Sequence, residues 1–306
     1  MAAFLIRRFL SLFAVLFCVI TVTFFLVRLA PGGPFSRERQ IAPEIEKQLL
    51  ARYKLDGTVW QQYRSYLWDV VRGDLRLSTK YRDRSVNELI ADSLPVSATL
   101  GALAFLIATL GGVWLGTTAA VRHHTWADAS AMLGALTLIS IPTFVTGPVL
   151  VLIFALHLGW LPVGGWNSWT SLILPAVTLA GPYVAYIARL MRTSLLEVLG
   201  QDYVRTARAK GLGDTTVIYK HALKVAILPV ISFLGPLAAS LVTGSIVIET
   251  IFNLAGTGGF FINAIQNRDA FLLLGITIVY CGLLVVLNLL VDVAYTWLDR
   301  RINLYD

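Results

Sequence analysis

The chain has 306 residues, of which 57% are hydrophobic and only 14% charged. A soluble domain of this length carries about 25% charged residues. Here the apolar residues also gather into runs too long for a water-soluble core, so the composition excludes an ordinary soluble domain and points to an all-α polytopic membrane protein. The net charge of +7 reads as cationic residues marking cytoplasmic loops, and no nucleic-acid partner is expected.

Residues 9 to 27, between Arg8 and Arg28, are uncharged and long enough for one span. The following RLAPGG shows no small-x-small cleavage site, which argues for a retained helix rather than a signal peptide. Residues 31 to 92 are dense in charge of both signs. LLARYKL and WQQYRSYLWDVVRGDL space their apolar residues as helices do, so this long segment reads as folded and extramembrane.

From Ser93 to Val121 no residue is charged, and this run forms the second predicted span. RHHTWAD is a short polar break. Residues 129 to 188 are uncharged and too long for one helix; WLPVGGWNSW, residues 160 to 169, divides them into spans three and four. Span five is expected within residues 225 to 248 and span six within 270 to 297. Gly112 and Gly116 make a small-xxx-small face suited to close helix packing.

Six spans put both termini on one side. Arg7, Arg8, Arg122, the stretch from Arg189 to Lys224, and Arg300 and Arg301 fall on that side, whereas the short loops opposite carry only Arg268. The crowded side is expected to be cytoplasmic, with residues 31 to 92 outside.

Familiar catalytic chemistry is missing. No Lys follows a Gly, so there is no P-loop. Neither H-E-x-x-H nor G-x-S-x-G occurs, which weakens a membrane metalloprotease or hydrolase reading. His123 and His124 read as solvated loop residues, and Cys18 and Cys281 as small buried hydrophobes. Arg28, Arg189, Glu249 and Asp292 fall near span ends and read as interfacial or snorkelling groups. The uncharged span centres speak against a self-sufficient secondary transporter or channel, which places ionisable groups at mid-membrane. Any transport by this chain draws its energy from a partner.

DYVRTARAKGLGDTTVIYKHALKVAILPV, residues 202 to 230, is the exception among the lipid-like runs. Asp202 is expected to cap a helix starting at Tyr203 and Gly211 to end it in a left-handed conformation. Asp214 is expected to cap a second helix from Thr215 to about Leu223. Thr206, Ala207 and Ala209 are small residues that let another backbone approach, and Arg205, Arg208 and Lys210 offer charge-assisted contacts around them. A basic topological anchor is the plainer reading; a capped hairpin with a small-residue face favours a docking element.

RTARAKGL followed by HALKVAILPV resembles the cytoplasmic loop of ATP-binding-cassette importer permeases, in the dipeptide/oligopeptide/nickel subgroup. FFLVRLAPGGPF, VRGDLRLSTKYRDRSVNELIADSLPVSATL, GWLPVGGWN and GSIVIETIFNLAGTGGFFINAIQNRDA carry the resemblance over nearly the whole chain. The length and the RLAPGGPF region resemble the oligopeptide members most. The superfamily's loop signature is Glu-Ala-Ala, three residues, then Gly. Aligned on Gly211, Arg205, Thr206 and Ala207 stand at its first three positions, and Leu228–Pro229 comes late, both as in the peptide subgroup. Arg300 stands where the family commonly has Pro.

The resemblance implies a type I ABC importer permease fold with six transmembrane helices. The first would end by residue 30, an extracytoplasmic helical segment would span 31 to 92, and a permease core with helices 2 to 6 would span 93 to 299. Within that core the coupling loop would run from 193 to 224. The implied role is oligopeptide import without catalysis. The implied partners are a homologous second permease, two ATPase subunits, an extracytoplasmic peptide-binding protein, the peptide and membrane lipid. No cofactor would be bound by this chain; ATP and Mg would sit on the partner subunits. Coupling to the ATPases would fall to Asp202, Tyr203, Arg205, Thr206, Ala207, Arg208, Ala209, Lys210, Gly211 and His221. Dipeptides, nickel or glutathione are alternative cargoes of the same permease type.

Overall fold

A computed structural model describes the backbone of residues 2–29 and 43–298. Residues 30–42, with most of RLAPGGPF, and the tail 299–306, with Arg300 and Arg301, lie outside the described residues, as do the side chains of Arg7, Arg8 and Asp292. Among the described residues the structure is helical, and the one pairing of extended backbone is an isolated bridge between Leu77 and Ser85.

Four stretches are long and apolar enough to cross a membrane: Leu10–Leu29 within α1 (Ala2–Leu29), α4 (Val86–Val121), Trp169–Leu199, which contains α7 (Ile173–Leu199), and Ala270–Leu290 within α14 (Ala270–Leu298). Two bent pairs bring the count to the expected six if each pair is one span. The first is α5 (Trp126–Ser140) with Thr143–His157, which joins α6 (Thr143–Leu150) to a π-helix (Val151–His157) and turns by 107°. The second is Asp214–Ala226 with α11 (Leu228–Val242), bent by 49°.

These bends depart from the spans read off hydropathy. Ile141 is extended (φ −89°, ψ 120°) because Pro142 follows it, and Pro142 has no N–H to continue α5. Pro229, in the first turn of α11, has no N–H to continue the helix from before it, and the fifth span breaks at Ile227. That span also stops earlier than expected. α11 ends at Val242, Gly244 takes φ +88°, and Ser245 caps the separate short helix α12 (Ile246–Ile251) by accepting from Ile248 N–H.

The chain forms two compact units. One comprises the described residues up to Ser97 together with Ala255–Val286. The two helical stretches read in the 31–92 segment form α2 (Pro43–Arg52) and α3 (Val59–Val71). Thr58 opens α3 with a full capping box, its hydroxyl accepting from Gln61 N–H while the Gln61 side chain accepts from Thr58 N–H. α3 turns Tyr63, Tyr66 and Asp69 inward. Phe24 of α1 packs on both tyrosines, with ring centroids 5.2 and 5.9 Å away, and Tyr66 stacks on Phe271 of α14 at 6.1 Å.

Polar pins fix this unit. Arg76 lies over the Tyr66 and Phe271 rings and donates through Nε to Asp69 at 2.8 Å, and Lys54 Nζ reaches the same carboxylate at 3.0 Å. Burial would raise the Asp69 pKa, but these two cations outweigh it and hold the carboxyl below its ordinary value. Asp269, fully buried at the start of α14, accepts from the Ser78 hydroxyl, from Thr79 N–H at 3.2 Å and from Leu272 N–H at 3.2 Å. Three donors satisfy a charge that would otherwise be costly to bury.

The other unit comprises Ala98–Leu254 with the end of α14 from Leu287. Its centre is α7, which buries thirteen residues and runs unbroken through Pro182. Gly112 and Gly116 of α4 face α7 closely, as their spacing led us to expect. A Cβ on Gly112 would lie 2.6 Å from Ile187 Cβ, and one on Gly116 would lie 2.7 Å from Met191 Cβ and collide with the Ala188 carbonyl. α5 packs against the same α7.

Candidate coupling loop

α7 ends at Leu199, and Gly200 and Gln201 turn the chain into α8 (Asp202–Ala209). This short helix buries Val204 and Ala207, three residues apart on one face, and packs on the end of α7 and on the π-helix Val217–Ala222. Asp202, Tyr203, Arg205, Thr206, Arg208, Ala209, Lys210 and Gly211 are exposed. Tyr203, Thr206 and Ala209 follow one another at three-residue spacing, so they form an outward stripe flanked by Arg205 and Lys210. Partial burial nevertheless pushes the Tyr203 phenol pKa up. Ala207 does not belong to that outward face: it seats the helix on its own chain.

The turn after α8 is locked. Lys210 is the C-cap, Gly211 takes φ +81°, Gly211 N–H donates to Arg208 O at 2.9 Å, and Leu212 N–H donates to Ala207 O at 3.4 Å. These two bonds make a Schellman motif, which a residue without a Cβ penalty in the left-handed region favours. Arg208 Nε reaches Asp214 at 3.2 Å across the turn.

Two details of the capping differ from the sequence reading. Asp202 and Asp214 are each the first helical residue rather than the cap; Gln201 and Gly213 occupy the cap positions, and neither makes a side-chain cap bond. At the first position a carboxylate still faces the positive end of the helix. The second helix is not α throughout. Three residues, α9 (Asp214–Thr216), pass into the π-helix Val217–Ala222 and then α10 (Leu223–Ala226). Val217 and Ala222, five apart, are both fully buried, as are Ala226 and Val230 beyond them. A π-turn, closed by bonds to the fifth residue, sets a five-residue step on one face. His221 is exposed on the outer side.

Behind the hairpin lies a cluster that sequence reasoning passed over. Asp128 of α5 is buried and receives Arg192 of α7 through two bonds, Nε to Oδ1 at 2.6 Å and Nη2 to Oδ2 at 2.7 Å. His124 N–H also donates to Asp128 at 3.2 Å, and His123 Nδ1 lies 3.0 Å from the same oxygen. Both histidines are exposed, as expected of loop residues, and they also bond the buried carboxylate, His123 through its ring and His124 through its backbone. The bidentate pair ties α5 to α7 two turns before α7 ends at the hairpin. Its signal in the sequence was an acid placed just before a long uncharged run.

A rigid, outward-facing, partly basic helix, seated on a long span and locked by a glycine turn, is suited to receive a push from another protein. No group of three metal-ligating side chains exists among the described residues. Residues 112–304 match the family described as the inner membrane component of binding-protein-dependent transport systems, and residues 1–101 match the N-terminal family of the same membrane components. The chain belongs to this family. It is 46% identical over 305 residues to the oligopeptide transport system permease protein OppB of Haemophilus influenzae, covering 99% of this chain and 100% of that protein. The OppB of Escherichia coli K12 is 47% identical over the same shares, and the dipeptide transport system permease protein DppB of Bacillus subtilis is 42% identical over 100% of this chain and 99% of that protein.

Among solved structures, a chain of the MetNI methionine ABC transporter in an inward-facing conformation matches with a TM-score of 0.59, at 16% identity, over 69% of this chain and 97% of that chain. A chain of an amino acid ABC transporter matches with a TM-score of 0.51, at 18% identity, over 71% and 95%. The fold is that of type I ABC importer permeases, and the chain is a transport subunit of the inner membrane, not an enzyme. Family membership implies a partner permease, ATPases and a binding protein in general terms.

Proposed function

We propose that this chain is the permease subunit through which an ATP-driven importer moves oligopeptides into the cytoplasm. The observation that carries the cargo is identity of 46–47% along the full length to oligopeptide permeases, against 42% to a dipeptide permease. The dipeptide likeness supports a second reading, in which the same machinery takes dipeptides. Both termini are cytoplasmic on the count of Lys and Arg in the short loops. A second, similar permease completes the path, an extracytoplasmic binding protein delivers peptide, and two partner subunits bind ATP and Mg.

The hairpin 202–223 is the joint to those subunits. Tyr203, Arg205, Thr206, Ala209 and Lys210 face outward for contact, while Val204 and Ala207 anchor the helix to α7 and the π-helix. Docking that differs in strength between nucleotide states lets ATP binding shift the permease equilibrium. Motion of a rigid helix pair is then carried into α7 and α11.

Gly211→Val tests the joint. Nothing lies within 4 Å of a Cβ at this position, so the change adds no clash, but φ +81° is strained for a β-branched residue. We expect ATP-dependent uptake of labelled tri- to pentapeptides into vesicles, with all partners present, to fall at least tenfold while assembly and peptide capture by the binding protein persist. Unchanged uptake would reduce the loop to a topological anchor. Uptake of another solute in place of peptide would retain the joint and overturn the cargo.

A further inference from the structure

A groove of about 360 Å³ lies between α4 and the segment that leads from the π-helix into α11. One wall presents Thr109, Val113 and Thr117, and the other Tyr219, Leu223 and Ile227. We propose that this groove binds a single anionic phospholipid of the cytoplasmic leaflet, with an acyl chain between the walls and the headgroup at the cationic end. The leaflet named here rests on the orientation given under Proposed function.

Dimensions fit first. On each wall the outer residues are eight apart, which at 1.5 Å per residue is roughly 12 Å along the helix. Half of a hydrocarbon core is about 15 Å deep, so the groove runs the length of one leaflet's acyl chain. Its mouth lies where α4 ends at Val121 and where the fifth span begins from the loop. Trp114 and Tyr219 are both exposed beside it, and rings of this kind sit at headgroup level in membrane proteins.

Charge fits second. Arg122 immediately follows α4, and Lys220 and Lys224 each follow a lining residue, Tyr219 and Leu223; all three are exposed. The nearest acids in sequence, Asp128 and Asp214, are engaged by Arg192 and Arg208, which leaves the cationic field of the mouth for an anion. A helix of a protein partner laid over the mouth would desolvate three cations at a cost, whereas a phosphate headgroup meets them in water.

The test uses the assembled importer. Leu223→Cys carries a bimane fluorophore in a chain with Cys18→Ser and Cys281→Ser, reconstituted into phosphatidylcholine vesicles holding a minor share of brominated phosphatidylglycerol or of brominated phosphatidylcholine. We expect several-fold stronger quenching by the brominated phosphatidylglycerol. Lys220→Gln with Lys224→Gln should abolish that preference, since each lysine near an anionic headgroup is worth about a fivefold change in affinity. Equal quenching by both lipids would overturn the proposal in favour of bulk solvation. Absence of quenching by either would overturn it in favour of a covering protein helix. Both leaflets contain the probe, so these outcomes do not depend on orientation, and a failure of peptide uptake would leave them unaffected.

Discussion

Gly116→Leu is expected to prevent stable assembly of the permease. The Cα of Gly116 lies against the backbone of α7, and even a Cβ would meet Met191 Cβ at 2.7 Å and Ala188 Cα at 3.0 Å. Backbone cannot swing aside as a flexible side chain can. Overpacking of a well-filled interface by a few methylenes costs about 1–3 kcal/mol, and a leucine driven into a helix backbone should exceed the upper end. Gly112→Leu should behave similarly, because its Cβ would meet Ile187 Cβ at 2.6 Å. Gly134 of α5 has open space around its Cβ, so Gly134→Ala should hold or gain stability, by up to about 1 kcal/mol from helix propensity. Thermal unfolding of the detergent-purified complex, together with its yield, separates the three. A stable Gly116→Leu complex would contradict the close approach of α4 to α7.

Arg192→Ala should be the most damaging of the single polar changes in this half of the molecule. It strips the buried Asp128 carboxylate, whose side chain is 7% exposed, of its two strongest bonds. Breaking a buried pair by removing one partner costs about 3–5 kcal/mol, mostly because the remaining charge is left uncompensated. Asp128→Ala should cost less, since the Arg192 side chain is 23% exposed and water can reach the guanidinium. The double variant should therefore be more stable than Arg192→Ala alone, which a double-mutant cycle on the same thermal unfolding would read directly. Strict additivity of the two changes would show that the pair contributes no coupling between α5 and α7.

The sequence was informative where one residue type has few alternatives. A glycine after a short basic helix announces a left-handed turn, and Gly211 adopts it, closed by two backbone bonds. Gly112 and Gly116 announced a close helix approach for the same reason: lacking a Cβ, they permit what other residues forbid. Long uncharged runs located the membrane segments because each backbone polar group in lipid must be paired within its own helix.

What hydropathy could not show was anything decided by contact at a distance. The 107° bend at Pro142 lies inside an apolar run whose composition never changes. The union of Asp128 with Arg192 joins residues 64 apart, and each alone looked like a loop charge. The π-helix was legible in retrospect as the five-residue step from Val217 to Ala222, but a step of one residue is easily lost among neighbouring apolar positions. Which of the small residues Thr206, Ala207 and Ala209 packs on the chain itself could not be read from size, which suits either surface; burial of Ala207 beside Val204 is decided by packing.

The central claim is that α8 meets the ATPase subunits with the stripe formed by Tyr203, Thr206 and Ala209. The most direct measurement places a single cysteine at Thr206 or Ala209, and at Ser130 as an exposed control near the start of α5, in the cysteine-free chain. A short photoreactive reagent on each is then activated in the assembled importer with and without ATP. The account predicts adducts with an ATPase subunit from positions 206 and 209, a yield that changes with nucleotide, and no such adduct from position 130. Absence of ATPase adducts from both α8 positions, or equal adducts from Ser130→Cys, would contradict it.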